Sequence, residues 1–249
     1  MSEAPDQEAL ARVMISALDI ARQACFARKD WAATLERTDA ILKFKREIKR
    51  PARDIALDQM NHANVLMRLN RWPEAKVELE ECLQIFYNNP NIKQVVLRSL
   101  ADLFDGQGDA RAAVEQERRA LAICEELPNP RDRAISHGNL SIYLAKCGDD
   151  FAEAARHRLA RLVYEFASGL AEDLKSSFDN DVIFFRRALA AAAEPSIPRV
   201  VNLLADPAFH KLAAWLHEHQ VDPQELQAAV DQFLVKARQK AQELGPISS

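Results

Sequence analysis

Apolar residues recur at helical spacing along nearly the whole chain, and the breaks between periodic stretches come in pairs. From residue 7 to about 29 the apolar positions are Leu10, Val13, Met14, Ala17, Leu18, Ala21 and Cys25, the three- and four-residue steps of one helical face. Asp30 offers an N-cap to a second stretch, about 31 to 49, with Leu35, Ala40, Ile41 and Phe44 on one side, and Pro51 closes the pair. A second pair joins about 54–69 to 73–87, with Pro73 suited to a first turn and Pro90 as terminator. The third runs over about 92–104, turns through Gly106-Gln107-Gly108-Asp109 and returns over 110–127, bounded by Pro128 and Pro130. A fourth begins near Arg131, turns at Cys147-Gly148-Asp149-Asp150 and returns over about 151–166; a fifth first helix covers about 170–193. After Pro195-Ser196-Ile197-Pro198 come pieces at about 198–205 and 206–219, then a helix opened by the capping box Asp222-Pro223-Gln224-Glu225. That last helix carries Leu226, Val230, Phe233, Leu234 and Ala237 on one face and reaches about Leu244; residues 245–249 are expected to fray.

The pairs share a local grammar. Asn61-His62-Ala63-Asn64-Val65 returns as Ser99-Leu100-Ala101-Asp102-Leu103, as Ser136-His137-Gly138-Asn139-Leu140 and as Ser177-Phe178-Asp179-Asn180-Asp181, with a looser copy in Asp19-Ile20-Ala21-Arg22. Arg22, Asn64, Asp102, Asn139 and Asn180 are spaced by 42, 38, 37 and 41 residues, a period that specifies an array of helical hairpins. Asn139 precedes Ala154 by 15 residues where Asn64 precedes Ala75 by 11, so the fourth hairpin holds about one extra helical turn around its loop. The expected fold is all-α: a right-handed superhelix of about four and a half hairpins over residues 1–193, with residues 194–249 as a C-terminal helical cap covering the last hydrophobic face.

These residues resemble the tetratricopeptide repeat. The family sets small residues where two helices of a hairpin cross, because a bulky side chain there would wedge them apart. Ala63, Ala75 and Cys82 fill those positions in the second hairpin, Ala101, Ala113 and Ala120 in the third, and Ala21, Ala33 and Ala40 in the first. The resemblance runs from about residue 8 to 190, and its long period is nearer the kinesin-light-chain-like variant than the standard repeat of about 34. It implies that the first helices line a concave groove. The groove positions are then Asn61, Asn64, Arg98, Asp102, Ser136, Asn139, Ser177 and Asn180. An asparagine amide both donates and accepts, so it grips an extended peptide backbone without reading its side chains. The competing role for each is a bond to a neighbouring helix. The family's co-chaperone branch clamps a C-terminal carboxylate, for which Asn64 and Arg98 are parts; Arg22 and Asp102 stand against that pattern.

Composition narrows the rest. Only six glycines occur, and threonine is confined to Thr34 and Thr38, a poverty that disfavours sheet. A net charge of −4 gives no overall attraction to nucleic acid or anionic lipid. The run from Lys43 to Arg53, with Phe44 available for stacking, reads as cations near a helix C-terminus on a solvated face, and so does the group Arg156, His157, Arg158 and Arg161. Cys25, Cys82, Cys124 and Cys147 lack metal-ligand spacing and read as reduced thiols, the first three buried and Cys147 in a turn. With no apolar run long enough for a bilayer and a polar, acidic start, the expectation is a cytoplasmic protein without a membrane contact.

No catalytic constellation stands out, and neither a cofactor nor a metal is expected. His217-Glu218-His219 lacks the spacing that puts two imidazoles on one helical face, and Gly106-Gln107-Gly108 lacks the lysine of a phosphate loop. Asp102, Asp105 and Asp109 belong to helix and turn, and His62 and His137 occupy equivalent repeat positions in different repeats. The expectation is a non-catalytic protein- or peptide-binding scaffold, with a regulatory or sensor subunit of a larger signalling assembly as the alternative. A small-ligand receptor or enzyme is the remoter rival, and an end face at the first hairpin leaves pairing of two copies open.

Overall fold

The computed structural model describes residues 7–148, 151–169, 171–191 and 196–247, and among them every regular element is helical. The expected breaks at 149–150 and at Pro195 lie outside the described residues. The chain divides into two compact units, Met1–Gly108 and Asp109–Ser249.

The first unit holds α1 (Gln7–Ala27), α2 (Trp31–Glu47), α3 (Ala52–Arg68), α4 (Trp72–Ile85) and α5 (Pro90–Gly106). Each packs on its successor, and α3 also meets α5. Asp30 caps α2 by accepting from the Ala33 amide. The prolines read as terminators are starters: Pro51 sits at the N-cap of α3 and Pro90 is the first residue of α5, where a missing N–H costs nothing and Asn89 accepts from the Ile92 amide. Ala63, Ala75 and Cys82 are fully buried where α3 and α4 cross, among Ala56, Leu66, Leu79, Phe86 and Leu103. Leu79 has no exposed surface, so truncating it to alanine would cost about 2–5 kcal/mol.

The first hairpin differs from its expected register by one residue. Thr34 and Thr38 are buried beside Ile41 and Leu42, whereas Ala33 and Ala40 are only half-buried. The two hydroxyls are accommodated because each donates back along its own helix, Thr34 Oγ1 to Asp30 O at 2.6 Å and Thr38 Oγ1 to Thr34 O at 2.8 Å.

The second unit holds α6 (Ala110–Cys124), α7 (Pro130–Cys147), α8 (Phe151–Ala167), α9 (Ala171–Ala190), α10 (Val200–Ala205), a 3-10 turn (Pro207–Phe209), α11 (His210–Glu218) and α12 (Pro223–Leu244). α6 packs on α7, α7 on α8 and α8 on α9; α12 lies along α9 and α8, and α10 and α11 also meet α8. Asp109, Asn129 and Asp222 cap α6, α7 and α12, and Pro130, like Pro90, begins its helix. Cys147 is the last residue of α7, not part of a turn, because the left-handed Gly148 (φ +76°) ends the helix one residue later. The C-terminal segments owe their place to one core in which Leu159, Leu162, Val163 and Tyr164 of α8 meet Val200, Leu203, Phe209, Leu212, Trp215, Leu226 and Val230.

Candidate functional site

In the first unit, α1, α3 and α5 frame a cleft of about 580 Å³. α3 contributes Asn61, Asn64, Met67 and Arg68; α5 contributes Ser99, Asp102 and Asp105; α1 contributes Arg22 and Phe26, and Trp72 enters from the start of α4. Asn61 and Asn64 lie three residues apart on α3 and so share its face. Neither amide makes a side-chain hydrogen bond among the described residues. The cations around them are engaged: Arg22 donates from Nε to Asp19 Oδ1 at 2.9 Å, and Arg68 lies over the Trp31 ring, 5.9 Å from its centroid. Trp72 is wedged against Gly106, where an added Cβ would fall 2.5 Å from Trp72 Cη2, so glycine is what allows the indole to reach the cleft. Arg98, also expected in the groove, is half-buried and does not line this cleft.

The second unit treats the equivalent positions differently. Ser136 is fully buried, 3.6 Å from Cys124 Sγ; Ser177 is buried and donates to Glu165 Oε1 at 2.6 Å. Ser136 faces the interior rather than the groove, beside Cys124 of α6, while Ser177 is tied down to Glu165 of α8. Asn139 is half-buried and donates to Glu117 Oε2 at 3.3 Å, while Asn180 makes no side-chain hydrogen bond among the described residues. Asn139, Ser177 and Asn180 meet at a smaller cleft of about 210 Å³ with Arg131, Arg161 and Glu165.

Beneath that cleft is a buried ionic network. Arg158 (1% exposed) and Arg161 of α8 both reach Asp181 (0% exposed) of α9, each at 2.5 Å, and Arg158 Nε donates to Ser141 Oγ at 3.0 Å. Arg158 also lies over the Phe184 ring, and burial lowers its pKa against the opposing pull of Asp181. Of the basic group expected on a solvated face, only Arg156 is substantially exposed; Arg158 and Arg161 are drawn inside because α9 delivers a carboxylate to them, and His157 turns in toward His137 of α7 and Glu153 of its own helix. No local pattern announces this, since Asp181 is twenty residues and more along the chain from its partners.

The two equivalent histidines also part ways. His62 Nδ1 is 2.7 Å from Glu78 Oε2 and its Nε2 is 3.1 Å from Asp39 Oδ1. His137 Nδ1 instead meets His157 Nδ1 at 2.8 Å, with the rings of Tyr164 and Phe209 stacked beside it. One nitrogen of the pair donates and the other accepts, so at most one proton lies between them. Burial holds His137 well below the ordinary histidine range, reinforced by His157 and Arg133, and holds His157 down as well. Glu153, hydrogen-bonded to the His157 ring and to Arg118, is pulled down to about 2.

The four cysteines are free, three of them buried, and burial pushes the Cys82 thiol up to about 12. Among the described residues no group of three or more histidine, cysteine or acidic side chains is disposed to hold a metal, and no helix is long and apolar enough to cross a membrane.

Comparison with known proteins gives three findings. No curated protein matches the sequence. Among solved structures the chain is similar to BtubC (BKLC) from P. vanneervenii, at 18% identity over 96% of this chain and 95% of that one, with a TM-score of 0.40, a likeness too loose to carry an argument. The family comparison agrees with the hairpins just described: residues 54–126, from the start of α3 to just past α6, match the tetratricopeptide-repeat family, a type of repeat that generally mediates protein–protein interaction and scaffolding and is generally non-catalytic.

Proposed function

We propose that the protein is a binding scaffold whose first unit seats a segment of a partner protein in the cleft between α1, α3 and α5. The observation that supports this most is the pair Asn61 and Asn64, two neighbouring amides on one face of α3 that make no side-chain hydrogen bond among the described residues and line a cleft of about 580 Å³. A half-buried amide with no internal partner keeps both donor and acceptor for a ligand backbone. Phe26, Met67 and Trp72 add apolar surface for the segment's side chains, and Met67 adapts its shape to them. Arg68, Asp102 and Asp105 set mixed charge around the amides, which suits a polar or zwitterionic peptide better than a polyanion.

A photoreactive residue at Asn64 tests the placement, with Tyr87, which is exposed at the end of α4, as control position. Crosslinking of a host protein from Asn64 and not from Tyr87 is the expected result. Equal crosslinking from both positions, or none from Asn64, overturns the cleft as the binding site.

A further inference from the structure

The basic run from Lys43 to Arg53 extends in the folded chain to the start of α5. Within it, Lys43, Lys45 and Arg50 are paired with Glu47, Asp58 and Asp54. Arg46, Lys49 and Arg53 are exposed and make no ion pair among the described residues. The Arg53 guanidinium lies over the Phe86 ring, 5.9 Å from its centroid, and the next residue, Tyr87, carries the Lys93 ammonium 4.5 Å from its own ring centre. Lys93 has no carboxylate partner among the described residues either. Four uncompensated cations thus form one band from the end of α2, across the start of α3, to the start of α5. Tyr87 stands in that band with 68% of its surface exposed.

The macrodipole accounts for Arg46, in the last turn of α2, and for Lys49 just beyond it. It does not account for Arg53 and Lys93. Both lie in the first turn of their helices, α3 and α5, where the dipole opposes a cation and favours an anion. Helix stability gives no reason for these two charges.

We propose that the band binds a single-stranded nucleic acid, with phosphates on Arg46, Lys49, Arg53 and Lys93 and a base stacked on Tyr87. Charge and ring together select this occupant. An acidic polypeptide or an anionic lipid surface would engage the cations and leave the exposed ring idle. A single strand uses both, because each nucleotide carries a charge and each base a π-face. The chain's net charge of −4 does not oppose this, since exposed charges more than about 8 Å away are largely screened at physiological ionic strength. No residue lining the cleft between α1, α3 and α5 belongs to the band, so the two sites stand or fall separately.

Fluorescence anisotropy of labelled oligo-U and oligo-dT strands of roughly 12 nucleotides measures binding to the full chain. Four phosphate contacts predict a slope of log K against log salt of about −3, which is a loss of about fiftyfold between about 50 and 200 mM salt. Lys49→Gln/Arg53→Gln leaves Lys93 over Tyr87 and should halve that slope. Tyr87→Ala should weaken binding about fivefold or more with the slope unchanged. Lys49, Arg53 and Tyr87 are exposed, so both variants should keep wild-type helicity, which circular dichroism checks. No binding of either strand at about 50 mM salt overturns the proposal. Wild-type binding by Tyr87→Ala also overturns it. Competition by polyglutamate, or by phosphatidylserine–phosphatidylcholine vesicles, as strong as that of unlabelled strand at equal charge would reassign the band to acidic proteins or to a membrane.

Discussion

Two hairpins fill the same core positions with opposite chemistry. Counted from the crossing alanine, Leu79 and Cys82 of α4 correspond to Arg158 and Arg161 of α8, four and seven residues after Ala75 and Ala154. The first pair sits in an apolar core with Phe86 and Leu103; the second shares Asp181, with Glu165 as a further carboxylate 3.8 Å from Arg161. The crossing residue of the first helix changes in step: Ala63 in α3 becomes Gly138 in α7, where a Cβ would fall 2.9 Å from Arg161 Cδ. Repeat geometry thus constrains size at the crossing but not polarity. The exchange also explains the two clefts. Around the second, polar partners from the interior take up Ser136, Asn139 and Ser177; around the first, the polar groups of the neighbouring helices pair with Asp58, Gln59 and His62 instead, and Asn61 and Asn64 stay available.

The largest effect separating the two cores should come from Asp181→Asn. It removes the carboxylate shared by two buried guanidinium groups, leaving only Glu165, 3.8 Å from Arg161, and should cost about 3–5 kcal/mol of the second unit's stability. Denaturant unfolding followed through Trp215, the second unit's single tryptophan, measures it. A loss below about 1 kcal/mol would mean that Arg158 and Arg161 relax to solvent and that the ionic core does not hold α8 to α9.

In the first unit the corresponding weak point is steric. Gly106→Ala sets a methyl against the Trp72 indole and should cost about 1–3 kcal/mol, with a shift in Trp72 emission. The smaller ring of Trp72→Phe should restore most of the loss in the double variant. An unshifted emission with unchanged stability would show that the cleft floor is loosely packed.

A smaller effect is the response to acid. His137 and His157 are held neutral by burial when folded and take up protons when the chain unfolds. Their stabilising share is therefore complete above the unfolded histidine pKa, near 6.5, and falls as pH drops below it, by up to about 1.4 kcal/mol per pH unit for each ring. Glu153, depressed to about 2, adds a separate loss below about 4.5, as its carboxylate protonates. Stability of the second unit at pH 7.5 and 5.5 checks the first window, and His137→Phe, which keeps the aromatic stack, should flatten the slope. An equal slope in that variant would assign the pH response elsewhere.

Much of this was legible in the chain before any coordinates. Helix period and aspartate caps are local properties, so the hairpins follow from spacing, while the burial of Ala63, Ala75, Cys82, Ala113 and Ala120 is what the resemblance to the tetratricopeptide repeat implies. The register of α2 lies one residue away from Ala33 and Ala40, because a threonine that bonds its own helix fills the crossing as well as an alanine does. Pro90 and Pro130 were read as stops because a proline marks both ends of a helix boundary; the preceding asparagine was the signal that each begins one. The division of the asparagine and serine positions could not be read, since it depends on Glu117, Glu165 and Cys124, each twelve to twenty-two residues away and brought in by packing. The same distance hid the partner of Arg158 and Arg161.

The most direct test of the open first cleft against the internally bonded second is a titration. A peptide selected from a random library on the intact wild-type protein would be measured against Asn61→Ala/Asn64→Ala and against Asn139→Ala. The first variant loses no internal bond, so its stability should stay within about 0.5 kcal/mol of wild type. Its affinity should fall at least tenfold, and that of Asn139→Ala less than twofold. A peptide bound equally well by the Asn61/Asn64 variant, or lost only with Asn139, would contradict the account.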